Sequence, residues 1–285
     1  MSTLAEISQR FARIKEISGI MTAMKNLSLV ETRKLARFME YQRRMLTNIE
    51  AAATDFLHFF PIEAGPGVPR VLILLIGSER GFCGSFNERV LLALQDLPAW
   101  QNPPELLVVG SRLGARLEPD RLSKAIAGGR ASVIGRLDGP TVSEDVPGVL
   151  GQMMAAVHSA CHLSAGDMRL YALAHDADGK PRLKPLLPLP PTSAMPFMHA
   201  PQIQMPLPEF FAGLLDQYLL AALYGLIYES LTVENHQRLT HMENALDRLD
   251  GMLDTLALKR NALRQEKIIE EIEVMLSSEQ AFGDI

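Results

Sequence analysis

The feature that most constrains this chain is a long C-terminal stretch in which a helical repeat runs without interruption. From Leu207 to Phe282 there is no proline after Pro208, and apolar side chains recur at alternating intervals of three and four residues. Such spacing is that of the a and d positions of a coiled coil, which form one narrow apolar seam. The seam consists of Leu239, Met242, Leu246, Leu249, Leu253 and Leu256.

A seam this narrow predicts a helix that packs on a partner helix, because charged residues fill the positions between its members. A helix over Leu207 to Phe282 would be on the order of 110 Å long, several times the diameter of a small domain. We therefore expect it to extend beyond the globular part of the molecule. After Leu256 charged residues occupy the seam positions, and apolar residues recur later on a different face of the helix. Contact with another protein and a frayed end both explain this second group, which is Ile268, Ile269, Ile272, Met275 and Leu276.

The partner helix is predicted at the other end of the chain. Residues 2–60 contain no proline, and Thr3 with Glu6 has the spacing of a capping box. The apolar stripe of this segment is Leu4, Ile7, Phe11, Ile14, Ile17, Met21, Met24 and Leu27. The middle of this helix is basic, whereas the segment from Leu207 onward carries six Lys or Arg against fourteen Asp or Glu. Because a whole domain separates the two helices, we expect an antiparallel coiled coil.

The segment between the helices predicts an α/β domain with a largely parallel, Rossmann-like sheet. Continuous apolar runs typical of buried strands lie at Val71 to Ile76, Leu106 to Val109 and Met168 to Ala174. Helical patterns at Glu88 to Leu97 and Val142 to Leu163 lie between them. A proline-rich passage at 180–208 predicts an edge strand and an extended connection. The predicted domains are residues 1–60, 69–200 and 207–285.

The composition restricts the class of protein. The net charge of -5 argues against a nucleic-acid-binding role for the whole chain. Two cysteines, Cys83 and Cys161, are too few for a disulfide framework and indicate a reducing compartment. No signal peptide is predicted, and the uncharged stretch between Asp216 and Glu229 is shorter than a bilayer span. We expect a chain that is soluble or, at most, peripheral to a membrane.

The loop after the first predicted strand reads GSERGFCGSFN over residues 77–87. Glycines between a strand and a helix are typical of phosphate-binding loops, but this spacing matches neither common phosphate motif. A nucleophilic Cys83 is a further alternative, although no histidine lies near it in the sequence. We favour a structural βα turn. Its residues are Arg80, Gly81, Cys83, Gly84 and Asn87.

Two other groups have functional and structural interpretations. His158 and His162 have the i, i+4 spacing of metal ligands on a helix, but a solvated or core pair is the more common meaning of two histidines alone. We predict no metal and no cofactor. The basic residues of the first helix suit an acidic partner, a nucleic acid, lipid headgroups or simply a solvated surface. They are Arg33, Lys34, Arg37 and Arg44.

These motifs resemble the γ subunit of F-type ATP synthases, the central rotor shaft. SERGFCGSFN at residues 78–87 resembles the family's glycine motif, and IMTAM at 20–24, followed by Arg33 and Lys34, resembles its N-terminal signature. NALRQEKIIEEI at 261–272 resembles its C-terminal signature, and the leucine-proline segment at 186–190 also has a counterpart. The resemblance covers essentially the full length.

The resemblance implies a coiled coil inside an α3β3 hexamer, with the α/β domain as a foot on the ε subunit and the membrane c-ring. It implies no catalytic residue on this chain, no nucleic acid, and a peripheral location at the cytoplasmic face of the bacterial inner membrane. Arg33, Lys34, Arg37 and Arg44 would form the basic face toward the foot. The residues that the resemblance places against the β subunits are Met24, Arg238, Asn261, Arg264, Gln265 and Glu271.

Several positions depart from the family pattern. Met21 and Ile269 replace threonines, and Glu31 stands where a lysine is usual. These departures suggest a divergent paralogue, for example the γ subunit of an alternative, sodium-translocating F-type ATPase. Two other classes remain open: an α/β phosphate-binding enzyme with a helical dimerisation arm, and a coiled-coil scaffold that does not rotate.

Overall fold

The computed structural model describes residues 3–62, 69–97, 102–117, 131–160, 168–189 and 199–283. As predicted, a long helix stands at each end of the chain and an α/β domain lies between them; its sheet has five strands. In chain order the elements are α1 (Leu4–Phe59), β1 (Arg70–Ile76), α2 (Phe86–Gln95), β2 (Glu105–Val109), α3 (Ser111–Gly114), β3 (Ser132–Leu137), a 3-10 turn (Ser143–Asp145), α4 (Val146–Ala160), β4 (Met168–His175), β5 (Pro181–Leu187) and α5 (Leu207–Gly283).

The sheet has the order β3-β2-β1-β4-β5. The pairs β1–β2, β1–β4 and β2–β3 are parallel, and β5 is added antiparallel to β4. The predicted parallel sheet and the proline-containing edge strand are both confirmed. Strand β3 was not predicted, because it alternates between exposed and half-buried residues and contains Gly135, so it lacks the apolar run of a central strand.

The central strand β1 is buried on both sides, and its alternating side chains enter two cores. Leu72, Leu74 and Ile76 face the core formed with α4, α5 and Leu35 of α1. Ile73 and its odd-numbered neighbours face the core formed with α2 and α3. This two-sided burial explains why β1 is almost entirely apolar in sequence.

The start of α1 is capped as the sequence predicts. The backbone N–H of Thr3 donates to Glu6 Oε2 at 3.0 Å, and the N–H of Glu6 donates to Thr3 Oγ1 at 3.3 Å. These reciprocal bonds form a capping box, which satisfies helix N–H groups that otherwise have no partner.

The C-terminal seam is confirmed, and the N-terminal one needs a correction. Met242 and Leu256 are buried, and the other four seam residues of α5 are half-buried. On α1, however, Ile17 and Leu27 are 47% and 60% exposed. The next half-buried residue after Ile14 is Ser18. Steps of four and three alternate in a heptad, so the step of three from Phe11 to Ile14 is followed by a step of four.

Internal contacts divide the chain into two compact units. One contains Met1–Leu27 and Leu239–Ile285, and the other contains Ser28–Arg238. Within the first unit, Arg260 lies over the ring of Phe11 with Cζ 4.7 Å from the centroid, and Lys25 Nζ lies 3.2 Å from Glu243 Oε1. Phe11 precedes Lys25 on α1, whereas its partner Arg260 follows Glu243 on α5. The two helices are therefore antiparallel. The predicted boundaries at 60/69 and 200/207 stay a prediction.

The first part of α5 is strongly apolar. Within the described residues, one helix, Leu207–Met275, contains an 18-residue window of mean hydropathy 1.5, which by length and composition alone is sufficient to cross a membrane. A window of that length extends past an acidic residue, whereas the uncharged stretch between Asp216 and Glu229 is shorter than a bilayer span. Several apolar residues in this part of α5, including Tyr218, Leu223 and Ile227, belong to the core on the sheet.

Candidate functional site

The glycine loop, defined as residues 77–85, connects the carboxyl end of β1 to α2. A Cβ on Gly77 would lie 2.2 Å from Leu113 Cβ, so only glycine fits where the loop begins. Gly84 has φ +58 and Phe82 has φ 64, both in the left-handed region. Asn87 fastens the loop, since its Oδ1 accepts from Ser78 N–H at 3.0 Å and its Nδ2 donates to Ser78 Oγ at 2.8 Å. The predicted turn residues thus lie in one tight βα connection.

This loop lies at the position where open α/β sheets usually bind ligands. The strand order reverses between β1 and β4, and crevices at the carboxyl ends of such strands are typical ligand sites. Here the chain itself fills part of this region. Cys83 and Phe86 pack against Val233 of α5 as one buried cluster, and His175 at the end of β4 stacks on Phe86.

Two buried charged side chains of α5 hold the loop. Glu234 accepts hydrogen bonds from the backbone N–H groups of Glu79 and Arg80. Arg238 Nε donates to the carbonyl oxygen of Gly81 at 3.3 Å, and its guanidinium also pairs with Glu234. We call these five residues the loop–helix clamp.

The electrostatics of the clamp are those of a buried, fully bonded ion pair. Glu234 and Arg238 are 4% and 3% exposed. Burial raises the pKa of Glu234, whereas the Arg238 guanidinium and the two loop amides oppose that rise. Arg238 Nη1 also donates to Asn235 Oδ1 at 2.7 Å. Removing one partner of such a pair leaves a buried charge without compensation, which costs about 3–5 kcal/mol.

The clamp also bears on the phosphate-binding alternative. Backbone N–H groups in a loop of this kind are the donors that would bind a phosphate. In this chain the amides of Glu79 and Arg80 already donate to the Glu234 carboxylate. A carboxyl group of the protein therefore occupies these donors, and the geometry does not favour a phosphate enzyme.

Cys83 lacks the surroundings of a nucleophile. It is a free cysteine, 4% exposed, and its Sγ donates to Ser78 Oγ at 3.3 Å. Burial raises the pKa of the Cys83 thiol, which lowers the fraction of reactive thiolate. The structural interpretation of this residue is therefore favoured.

Glu79 braces the neighbouring loops at the same edge of the sheet. Its Oε2 accepts from the N–H groups of Ser111 at 2.8 Å and Gly139 at 2.7 Å. Burial tends to raise the pKa of Glu79, but the hydrogen bonds from Ser111 and Gly139 outweigh it and hold that pKa below its usual value. The loops after β1, β2 and β3 are therefore tied together by one carboxylate.

The predicted histidine pair is only partly described. His158 Nε2 lies 3.0 Å from Asp216 Oδ1, while His162 and Cys161 lie outside the described residues. Among the described residues, no group of three or more His, Cys, Asp or Glu side chains is arranged to hold a metal ion.

The residues of the predicted basic face differ in their surroundings. Arg33 and Arg37 are exposed, and Arg44 bonds to Glu40 of the same helix at 2.6 Å. Lys34 donates to Glu31 at 3.0 Å and to Glu144 at 2.9 Å, and these bonds raise its pKa. Lys34 therefore anchors α1 to the segment before α4.

The predicted β-subunit contacts also fall into different classes. Asn261, Arg264, Gln265 and Glu271 are exposed on α5, and Met24 is half-buried on α1. Apolar residues next to them are exposed as well: Ile268, Ile269, Ile272 and Met275. Arg238 is different, because its hydrogen-bonding groups have partners inside this chain. Its burial makes it an internal anchor in this structure. The expected contact of Arg238 with a β subunit stays a prediction.

Sequence reasoning missed Glu234 and Glu79. The available signal for Glu234 was a Glu-Arg pair at i, i+4 directly after an apolar part of α5. Its loop partners could not be inferred, because Arg238 and Gly81 are 157 residues apart in sequence.

Comparison with known proteins agrees with this geometry. A family model described as ATP synthase matches residues 3–282. The chain belongs to the ATP synthase family. Among its relatives in the family are two proteins named ATP synthase gamma chain. That of Rubrobacter xylanophilus is 26% identical and aligned over 99% of both chains, and that of Haemophilus ducreyi is 25% identical over 99% of this chain and 100% of the relative.

Solved structures contain chains with the same fold. A chain in the cryo-EM structure of Euglena gracilis mitochondrial ATP synthase (OSCP/F1/c-ring, rotational state 3) matches with a TM-score of 0.61, at 17% identity, over 98% of this chain and 94% of that one. A chain in the central stalk and c-ring structure from Tetrahymena thermophila matches with a TM-score of 0.53, at 17% identity, over 79% of this chain and 99% of that one.

Proposed function

We propose that this chain is the γ subunit of an F-type ATP synthase, the central stalk that rotates inside an α3β3 hexamer and couples ion flow through a c-ring to ATP synthesis or hydrolysis. The observation that carries this proposal is the family match over residues 3–282, together with gamma-chain relatives aligned over 99% of the chain. The antiparallel pairing of the two terminal helices supports it.

In this proposal the chain has no catalytic residue of its own, and ATP chemistry occurs on the β subunits. One asymmetric shaft contacts three equivalent subunits differently, so each orientation favours a different set of their conformations through its differential contact energy. The exposed polar residues Asn261, Arg264, Gln265 and Glu271 suit hydrogen bonds to β. The exposed apolar residues beside them suit a surface on another subunit.

The same proposal puts the α/β domain on the ε subunit and the c-ring. Arg33 and Arg37 are exposed and suit an acidic partner on that side. The chain would then be a peripheral component at the cytoplasmic face of the bacterial inner membrane. The identity of the coupled ion, and with it the alternative sodium-translocating paralogue, stays a prediction.

Co-expression with the α and β subunits of the same source tests the proposal. We expect a stable complex with ATPase activity, whereas the purified chain alone should hydrolyse no ATP. In the complex, Arg264→Ala with Gln265→Ala should lower ATP hydrolysis, and Lys259→Ala, at another exposed position on α5, serves as the control. If the chain fails to assemble with α and β, the proposal is wrong. Unchanged hydrolysis in the double variant would favour a non-rotating scaffold.

A further inference from the structure

The loop–helix clamp fixes α5 to the sheet in a way that the surrounding apolar core does not. Aliphatic and aromatic side chains of α5, such as Leu223 and Leu226, belong to the core on the sheet, and Glu229 accepts a hydrogen bond from Lys184 of β5. Apolar contacts are non-directional, so they resist sliding or twisting of a helix less specifically than hydrogen bonds do. The clamp adds directional bonds from one turn of α5 to three consecutive loop residues, Glu79, Arg80 and Gly81.

The loop side of the clamp is itself rigid. Asn87 and Ser78 close the loop from within, and Gly77 admits no Cβ because Leu113 packs against it. Glu79 is bonded to Ser111 and Gly139 as well. If the sheet domain is twisted, the loop should therefore deform little, and the twist should be passed to α5 through the clamp.

We infer that the loop–helix clamp is the joint that transmits torque between the α/β domain and α5, with Glu234 and Arg238 as positioning residues. This inference rests on the proposed function, because torque has meaning only for a rotating stalk. Helix α5 runs without a break from Leu207 to Gly283, and its residues 234–238 are the part that the clamp holds.

The role of Glu234 can be separated from simple stability because its carboxyl group is bound to loop amides. Glu234→Ala keeps Cβ and removes a methylene and a carboxylate, which together correspond to acetate. We therefore expect acetate to enter the vacated position and to bind the amides of Glu79 and Arg80. A general loss of folding would not be repaired by this one anion.

The experiment uses the assembled complex in inverted membrane vesicles, with ATP hydrolysis and ATP-driven ion uptake measured on the same sample. In Glu234→Ala we expect hydrolysis to persist while ion uptake per ATP falls severalfold. Replacing chloride by acetate at equal ionic strength should restore the uptake per ATP relative to that of the wild-type complex measured in the same salt. Glu209→Ala is the control: it removes an exposed carboxylate of α5 that lies outside the clamp, and it should leave the ratio unchanged.

The outcomes separate this inference from the proposed function. Failure of the unmodified chain to assemble with α and β would refute the function. An assembled Glu234→Ala complex with the wild-type ratio of uptake to hydrolysis would refute only the joint, as would a deficit that acetate and chloride leave equal. If Glu234→Ala does not assemble, Glu234→Gln keeps the size and one acceptor oxygen, and it should lower the ratio less than Arg238→Ala does. The reverse order would refute the inference.

Discussion

The imidazole of His175 stacks on the ring of Phe86 with centroids 3.9 Å apart and an interplanar angle of 26°. His175 is fully buried, and within the described part of the chain neither of its ring nitrogens has a hydrogen-bond partner. Burial lowers the pKa of His175 to about 4, with a further lowering from Arg89 and an opposing effect of Asp176. The histidine is thus a neutral core residue at physiological pH.

This pairing predicts a pH-dependent loss of stability. Because the folded pKa lies below the unfolded value of 6.5, stability from His175 is present above pH 6.5 and is lost as the pH falls toward 4. The loss should reach about 3 kcal/mol. Chemical denaturation at neutral pH and near pH 4.5 measures the free energy of unfolding of the wild type and of His175→Phe. Between the two pH values this free energy should fall more in the wild type. Parallel losses in both proteins would contradict the prediction.

A second prediction concerns the coiled-coil seam. Met242 is fully buried, whereas Met252 on the same helix is 50% exposed. Met242→Ala should lower the free energy of unfolding by about 2–4 kcal/mol through lost burial and a residual cavity. Met252→Ala, the matched control, should change it by about 0.5 kcal/mol or less. Urea unfolding followed by circular dichroism measures both, and equal effects would show that the seam does not lie on this face of α5.

A third prediction compares a glycine that has no space for a side chain with a glycine that has open space around it. A Cβ on Gly77 would clash with the Leu113 side chain, while nothing lies within 4 Å of a Cβ on Gly151 in helix α4. Gly77→Ala should therefore reduce stability by about 1–3 kcal/mol or more, as overpacking does. Gly151→Ala should increase it by up to about 1 kcal/mol, because alanine is the better helix former. Thermal melts of both variants measure these changes, and an unchanged stability in Gly77→Ala would contradict the close approach of Leu113 to Gly77.

A fourth prediction concerns the reactivity of Cys83. In a Cys161→Ser background, iodoacetamide should modify native Cys83 more than about tenfold slower than a free cysteine, because the thiol is buried and its pKa is raised. The rate should become that of free cysteine in denaturant. Rapid labelling of the native protein would reopen the nucleophile hypothesis.

Local sequence patterns were reliable where one physical signal dominated. The three-and-four spacing of Leu239 to Leu256 predicted a seam because only one stripe of that helix is buried. The apolar run Val71 to Ile76 predicted a central strand because both of its faces are covered. Strand β3 escaped prediction because an edge strand has little burial to impose a pattern.

The sequence by itself determined the two terminal helices, their pairing, the strands with two buried faces, and the motifs of the ATP synthase family. These properties depend on residues close together in the chain or on a repeat that one helix shows alone. Only the tertiary structure decided that Glu234 binds the amides of the glycine loop, that Arg238 is an internal anchor, and that Ser18 replaces Ile17 in the seam. Such contacts join distant segments, and no local preference of either segment specifies them.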